Sequence, residues 1–455
     1  MSWFTAWKST ISAGVSMFLR RFVVLLVSLA LFCPQLAAAD LATRRSPVVK
    51  ALEKVGPAVV NIRTEQILQR RGSPFFGFGG SLFEDFFGEF GSSRVYASQS
   101  LGSGVLVDER GYVLTNAHVI DKASKIFVAL PDQLKEQQVE LVGVDKRLDL
   151  AVLKLKEERR YPIVQIGRSD DLMLGETVIA VGNPLGLEHS ITTGVVSTDR
   201  RRLPAEDGSL AVFVQSDALI NPGNSGGPLL NLDGELVGIN TAIARQAQGI
   251  GFAIPAAVVG RVLDDLIRYG EVRPGFIGVI PGEVGRAFTR ARGGGGVLVT
   301  DLSQGHAAAK GGLKVADVIV ALDGIAVDTV HEYLSLLATY PPGRGVMLEY
   351  LHGTTERRVQ ITTEPVPQGY VEEYVRKVFG FWPMDTNRGL QIDALEPGGA
   401  AQQAGLQVGD RVVEVGGAGV ADLVKFRQLL EKNLGVYPLS FLIARRNNGY
   451  YVDLP

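Results

Sequence analysis

Between residues 101 and 254, short apolar runs recur and are cut by turns. The runs are GSGVLVD, YVLTNAHVI, KIFVAL, QQVELVGVD, DLAVLKL, ETVIAVG, ITTGVVST, AVFVQSD, ELVGINTAI and GIGFAIP, with Gly, Asp, Asn and Pro between them. Runs this short, ending in turn residues, read as antiparallel strands of a barrel or sandwich rather than as helices. The 54 glycines fit that reading, because tight reversals need residues that tolerate positive φ. At 455 residues the chain is too long for one ordinary core, and about two to four domains are expected. Hydrophobic content of 46% and charged content of 21% are those of a globular protein. A formal net charge of −2 gives no electrostatic case for nucleic acid or anionic lipid as a partner.

The N-terminus reads as an export signal. Arg20-Arg21 precede the apolar run FVVLLVSLALF (22–32), followed by CPQLAAAD. The run is well short of the ~20 residues a membrane span needs. Ala37-Ala38-Ala39 forms a small-residue cleavage site, so residues 1–39 are read as a signal peptide and the mature chain as starting at Asp40. Met17 is an alternative start, and an uncleaved anchor is the alternative outcome. A twin-arginine route is disfavoured because RRFVV lacks a polar flank. Cys33 is the only cysteine and lies inside this segment, in a context poor for lipidation. The mature chain therefore offers no cysteine nucleophile, thiolate metal site or disulfide. Losing Lys8, Arg20 and Arg21 with the signal makes the mature chain more acidic.

Around the strand-rich region the chain changes character. SPVVKALEKVGPAVVNIR (46–63) predicts a short helix, a turn at Gly56-Pro57 and a strand. QRRGSPFFGFGGSLFEDFFGEFGSS (69–93) has no clear period and reads as a long sticky loop, an oligomer contact or substrate lure unless it is disordered. PAAVVGRVLDDLIRY (255–269) has apolar residues at helical spacing after a proline and predicts a closing helix. A repeat follows: GHAAAKGGLKVADVIVALDGIAV (305–327) aligns without gaps to GGAAQQAGLQVGDRVVEVGGAGV (398–420). Upstream, GVLVTDL (296–302) matches GLQIDAL (389–395). Two copies are too few for a solenoid and are read as two similar small domains. The expected organisation is a catalytic domain over 40–268, small domains over 272–364 and 378–455, and a linker over 365–377.

NPGNSGGPL (221–229) fixes the backbone on both sides of Ser225. A serine hydroxyl needs a base, and the base needs an orienting partner. Of five histidines, His118 is favoured, because it ends the strand-to-turn stretch YVLTNAHVI; His189, in a polar loop, is the alternative. His331 falls in a predicted helix, and His306 and His352 fall in the repeat region. Asp149 opens the apolar run LAVL and is expected to be partly buried against an imidazole. Asp145 is read as a solvated turn residue. GNSGG also fits the G-x-S-x-G elbow of α/β-hydrolases, but there the acid and base follow the serine. Here both precede it, the order of the chymotrypsin-like double barrel. The N–H groups of Gly223 and Ser225 are then candidates for an oxyanion hole, with Gly226 and Gly227 leaving room for substrate.

TNAHV (115–119), LDLAVLK (148–154) and GNSGGPL (223–229), followed by two PDZ-type repeats, resemble the HtrA/Deg (Do-like) family of serine proteases across nearly all of the mature chain. The resemblance implies a mainly β fold: a chymotrypsin-like double β-barrel followed by two small α+β PDZ domains. It implies His118 as general base, Asp149 as its orienting acid and Ser225 as nucleophile. Gly223, Asn224 and Ser225 would form the oxyanion and substrate-contact segment. Asn224 stands where digestive relatives carry an aspartate that pairs with a new N-terminus, so activation by loop rearrangement is expected. The loops concerned would be 183–190, 200–211, 219–223 and 243–249. Leu219 and Ile220, with Ile243 and Ala244, would form an uncharged primary pocket favouring small or medium aliphatic residues.

The first repeat resembles a circularly permuted bacterial PDZ domain with a carboxylate loop Gly275-Phe276-Ile277-Gly278, beside which a peptide would add as a strand. Pro274 and Ala316 depart from the common pattern, where a basic residue and a glycine are usual. In the second repeat, GFWPMD (380–385) carries Pro383, which has no N–H to donate, so strong carboxylate binding is not expected there. The overall expectation is a periplasmic, ATP-independent endopeptidase needing no cofactor or metal, acting on unfolded polypeptides and exposed C-termini. A homotrimer or larger homo-oligomer, no nucleic acid and no membrane span in the mature chain complete it. The alternative is a peptide-binding chaperone with secondary proteolysis.

Overall fold

The computed structural model describes residues 44–65, 99–133, 135–183, 190–204, 210–221, 223–241, 249–434, 436–446 and 448–455. The signal segment, the phenylalanine-rich stretch, His189, Ile243 and Ala244 lie outside the described residues. Helix α1 (Pro47–Val55) starts where Ser46 Oγ accepts the Val49 N–H and proline occupies the first turn. Six strands follow: β1 (Val59–Glu65), β2 (Gln99–Asp108), β3 (Tyr112–Thr115), β4 (Lys125–Ala129), β5 (Gln137–Asp145) and β6 (Leu150–Lys154). They close into a barrel in the order β1-β2-β3-β6-β5-β4.

The next seven are β7 (Gln165–Ile166), β8 (Thr177–Gly182), β9 (Ser190–Pro204), β10 (Leu210–Ser216), β11 (Pro228–Leu230), β12 (Glu235–Thr241) and β13 (Gly251–Pro255). They form a second sheet, β11-β8-β9-β10-β13-β12-β7, in which β11 also pairs with β12. Neighbours run antiparallel except β7 with β12. One continuous core joins the two barrels, running from Val105 and Leu153 to Val181 and Ile239. The expected closing helix is α2 (Ala256–Tyr269), ended by Gly270 at φ +78°. Its Val258, Val259, Val262 and Leu266 recur at helical spacing and enter the same core.

Two smaller units follow. The first has β14 (Val279–Glu283), helix α3 (Arg286–Arg292), β15 (Val297–Leu302), α4 (Ala307–Lys310), β16 (Val318–Leu322), β17 (Ile325–Ala326), α5 (Val330–Leu337), β18 (Gly345–His352) and β19 (Thr355–Thr362). Its sheet order is β14-β15-β16-β18-β19. Helix α6 (Tyr370–Tyr374) leads to the second unit. That unit has β20 (Phe381–Thr386), β21 (Gly389–Leu395), α7 (Ala400–Gln403), β22 (Arg411–Val415), β23 (Ala418–Gly419), α8 (Leu423–Lys432), β24 (Leu439–Arg445) and β25 (Asn448–Leu454). The order β20-β21-β22-β24-β25 repeats the first plan.

Residues 200–204, expected in a polar loop, instead extend strand β9, with Arg201 opposite Phe213 and Arg202 opposite Val212. The strand carries two arginines to the first small domain. Arg200 Nη1 donates to the Asp323 carbonyl at 3.0 Å. Arg202 Nη2 reaches Glu332 Oε2 at 2.6 Å and Asp328 Oδ2 at 3.2 Å. Arg261 of α2 donates to Thr339 and stacks 4.1 Å from the Tyr340 ring centre.

Candidate active site

The site is built from the turn between β5 and β6. Asp145 Oδ1 accepts the N–H groups of Arg147 (2.9 Å) and Leu148 (3.1 Å), and its other oxygen pairs with the Arg147 guanidinium. Asp145 is 6% exposed, so it is a buried brace of the turn and not the solvated residue expected. The turn ends with Asp149 at φ +52°, a conformation aspartate tolerates better than most residues. Its carbonyl accepts Ala117 N–H (3.1 Å) and Asn116 Nδ2 (3.0 Å). Its carboxylate accepts the His118 N–H on Oδ1 at 2.9 Å and meets His118 Nδ1 on Oδ2 at 2.7 Å. Thr241 Oγ1, at the end of β12, adds a third donor at 3.2 Å. The carboxylate thus fixes the imidazole's orientation from the first barrel and is itself held by the second. Thr241 was not picked out by sequence reading; one threonine ending a strand carries no local signal.

Ser225 lies in the turn between Asn221 and Pro228 and is 3% exposed. Its carbonyl accepts the Ser103 N–H at 2.9 Å. Ser103 Oγ donates to the Gly223 carbonyl and accepts the Asn183 N–H, while the Ser103 carbonyl accepts Thr115 Oγ1. Ser103, fully buried, therefore links the serine turn to the strand that leads to His118; its role too was missed. A Cβ on Gly102 would lie 2.6 Å from Val119 and 3.4 Å from the Ser225 carbonyl, which places the two turns against one spot on β2.

The glycines of this turn have distinct jobs. Gly223 has φ +100°, open to glycine alone among common residues. A Cβ on Gly226 would fall 2.2 Å from both the Ser103 carbonyl and Thr115 Oγ1, and one on Gly227 2.2 Å from the Val181 carbonyl. The room these two glycines leave is taken by the protein's own strands, not by substrate as expected. Among the described residues, neither the Gly223 nor the Ser225 N–H donates to a backbone carbonyl. Asn224 is 1% exposed, and neither polar atom of its side chain has a hydrogen-bond partner among the described residues.

The three histidines of the small domains are committed elsewhere. His306 Nδ1 meets Glu364 Oε2 and His352 Nδ1 meets Asp317 Oδ1, each at 2.7 Å. The His331 ring lies 5.7 Å from that of Tyr437. All three sit in the small domains, so an α/β-hydrolase reading with His306 as base has no support.

The trypsin-like peptidase domain family matches residues 102–239, and PDZ domain families match 275–363 and 391–435. A "Probable periplasmic serine endoprotease DegP-like" of Halomonas elongata is 34% identical over 467 residues, covering 94% of this chain and 97% of its own. The chain belongs to the HtrA/Deg family of serine endoproteases. A "Probable periplasmic serine protease do/HhoA-like" of Haemophilus influenzae is 32% identical, covering 95% of this chain and 98% of its own. A DegP-like relative of Pseudomonas fulva is 37% identical over 77% of this chain and 76% of its own. The protein is accordingly a serine endopeptidase with two PDZ domains.

In this HtrA/Deg chain Leu219 is half exposed and its carbonyl accepts Thr192 Oγ1 at 2.8 Å. Ile220 packs against the second-barrel core. In the first PDZ domain Gly278 has φ +87°. The Phe276 N–H, expected to face a carboxylate, donates instead to the Glu364 carbonyl at 2.8 Å, and Glu364 N–H returns the bond. The Ile277 and Gly278 N–H groups have no carbonyl acceptor among the described residues. No described helix is long and apolar enough to cross a membrane.

Proposed function

We propose that the protein is an ATP-independent, periplasmic quality-control endopeptidase that degrades unfolded or damaged envelope proteins. The observation that carries the mechanism is the doubly bonded Asp149–His118 pair set against the serine turn. Asp149 holds the imidazole so that Nδ1–H points to the carboxylate, leaving Nε2 to take the Ser225 proton. Ser225 Oγ attacks the scissile carbonyl, and the imidazolium then protonates the leaving amine. The developing oxyanion is received by the Gly223 and Ser225 N–H groups; such a donor is worth roughly 10²–10³ in rate. Leu219 and Ile220 supply an apolar, uncharged wall for the primary pocket, which suits small or medium aliphatic side chains.

Control by loop rearrangement is supported by Asn224. A buried amide without a partner costs about 1–3 kcal/mol, which a shift of the surrounding segment relieves. Arg200 and Arg202 tie the β9–β10 ribbon to the first PDZ domain, which suits a sensor role for that ribbon. The Ile277 and Gly278 amides are donors for a peptide C-terminus. The working assembly is a homotrimer or a larger homo-oligomer.

The test is digestion of one protein presented folded and unfolded, by the chain lacking residues 1–39 and by its Ser225→Ala form. Cleavage of the unfolded form alone, falling by up to about 10⁶ in kcat for Ser225→Ala, is expected. Equal cleavage by both forms overturns Ser225 as the nucleophile. Suppressed aggregation without cleavage assigns the function to a chaperone.

A further inference from the structure

Edge strand β14 and helix α5 flank the groove where a peptide would add to the first PDZ domain. That groove is partly covered. Ile277 and Val279 line it from the strand side and Leu337 from the helix, while Tyr370, Tyr374 and Leu434 close it from outside the domain. What remains between these side chains is a narrow pocket of about 50 Å³ that is still partly open to solvent.

The closing residues are firmly placed. Tyr370 and Tyr374 are 6% and 8% exposed, and burial pushes both phenols upward. Phe276, from the carboxylate loop itself, meets Tyr370 ring to ring at 4.4 Å and packs in the second domain's core rather than the first's. Tyr437 of the second domain packs against the first domain's core. We propose that the first PDZ domain is capped in cis. Helix α6, with Leu434 of the second domain, covers the peptide groove while Tyr437 anchors the second domain beside it, and a C-terminus binds only after the second domain moves away. The proposal rests on the reading of this groove as a site for peptide C-termini.

The closed form is built to yield. Tyr333 lines the groove with a side chain 1% exposed, and its hydroxyl has no hydrogen-bond partner among the described residues, which destabilises the capped arrangement. The charge pairs that tether the second domain, Lys377 with Asp301 and Lys432 with Glu271, are at least partly exposed, so each holds only weakly, and reversing both lysines turns two weak attractions into two repulsions. Apparent affinity scales with the fraction of molecules that are open, so a cap closed nine times in ten weakens binding about tenfold.

The experiment uses the chain lacking residues 1–39 with Ser225→Ala, so that nothing is cut. The probe is a fluorescent peptide with an aliphatic C-terminal residue, with a C-terminally amidated twin, followed by anisotropy. Three variants are compared: Tyr370→Ser with Tyr374→Ser, Lys377→Glu with Lys432→Glu, and Leu337→Asp in the tether variant. Trp382, the one tryptophan beyond residue 39, reports whether the second domain still folds. Where the tyrosine variant unfolds, the tether variant decides, because its substitutions lie outside any core. Binding at least about tenfold tighter in the uncapped forms, selective for the free carboxylate and lost with Leu337→Asp, is expected. Equal, carboxylate-selective binding by the parent and the uncapped forms overturns the cap but keeps the groove as a C-terminus site. Binding that ignores both the carboxylate and Leu337→Asp overturns that reading and the cap with it.

Discussion

The two PDZ domains share a backbone plan at an offset of 93 residues but fill it differently. Asp317 and Asp410 are both buried and accept the N–H three residues earlier, from Lys314 and Gln407, each at 2.8 Å. Both edge strands shift register at a proline, Pro281 and Pro383. Both groove helices start on a carboxylate from that strand, Val330 on Glu283 and Leu423 on Asp385. The interiors diverge. Phe379, Phe381, Phe426 and Phe441 of the second domain form a connected set of ring contacts. At the positions of Phe426 and Phe441 the first domain has Tyr333 and Leu348. It also keeps a cavity beside its edge strand. The plan needs a few turn and aspartate positions; what fills it decides between a groove and a packed block. The second domain is a packed block whose aromatic core extends through Phe276 onto its neighbour.

The harshest challenge to that contrast is truncation at one shared position. Phe441 and Leu348 are each fully buried. Phe441→Ala should cost about 3–5 kcal/mol and Leu348→Ala about 2–5 kcal/mol. In the second domain the lost ring also contacts Phe379 and Phe381, so Trp382 emission should report early unfolding there. Calorimetry follows both domains in one chain. If Leu348→Ala costs as much as Phe441→Ala, the first interior is as tightly packed as the second, and the contrast fails.

A milder exchange moves one oxygen. The Tyr333 hydroxyl is buried without a hydrogen-bond partner among the described residues, and burial pushes its phenol well above the usual range. Tyr333→Phe should leave stability unchanged or raise it, while Phe426→Tyr in the second domain should lose about 1–3 kcal/mol. The check is the urea midpoint of each variant. A destabilising Tyr333→Phe means that the hydroxyl has a partner in solution.

How much of this could be read from sequence depends on the distance over which each feature acts. The strands around 101–254, the closing helix and the paired repeats are local patterns of period and turn residue, and all three appear as expected. The His118–Asp149 contact was legible because a known chemistry demands both groups in a stated chain order. What escaped depends on partners remote in sequence. Asp145 looks like any turn aspartate until its buried bonds to Arg147 and Leu148 are seen. Gly226 and Gly227 looked like space for substrate, yet the backbone that fills that space comes from Ser103 and Val181. Arg200 and Arg202 looked like loop charges because their partners lie more than 120 residues on. The tyrosines over the first groove looked like a linker for the same reason.

The smallest expected effect isolates backbone from packing. Ala316 and Gly409 occupy the same turn position, at φ +74° and φ +87°. Each N–H donates across to the neighbouring strand, Ala316 to Val299 and Gly409 to Ile392. Both are exposed, and a Cβ on Gly409 would meet nothing within 4 Å. Only the Cβ distinguishes them, and on the left-handed backbone they share a Cβ costs about 1–2 kcal/mol. Ala316→Gly should therefore gain about 1 kcal/mol, less what glycine's looser unfolded chain gives back. Gly409→Ala should lose a similar amount, read from the same urea curves. Opposite signs of similar size make the strain a property of the turn that both domains share. A silent Ala316→Gly beside a costly Gly409→Ala would mean that the first domain's turn has relaxed around its alanine, so that the two copies differ in backbone as well as in filling.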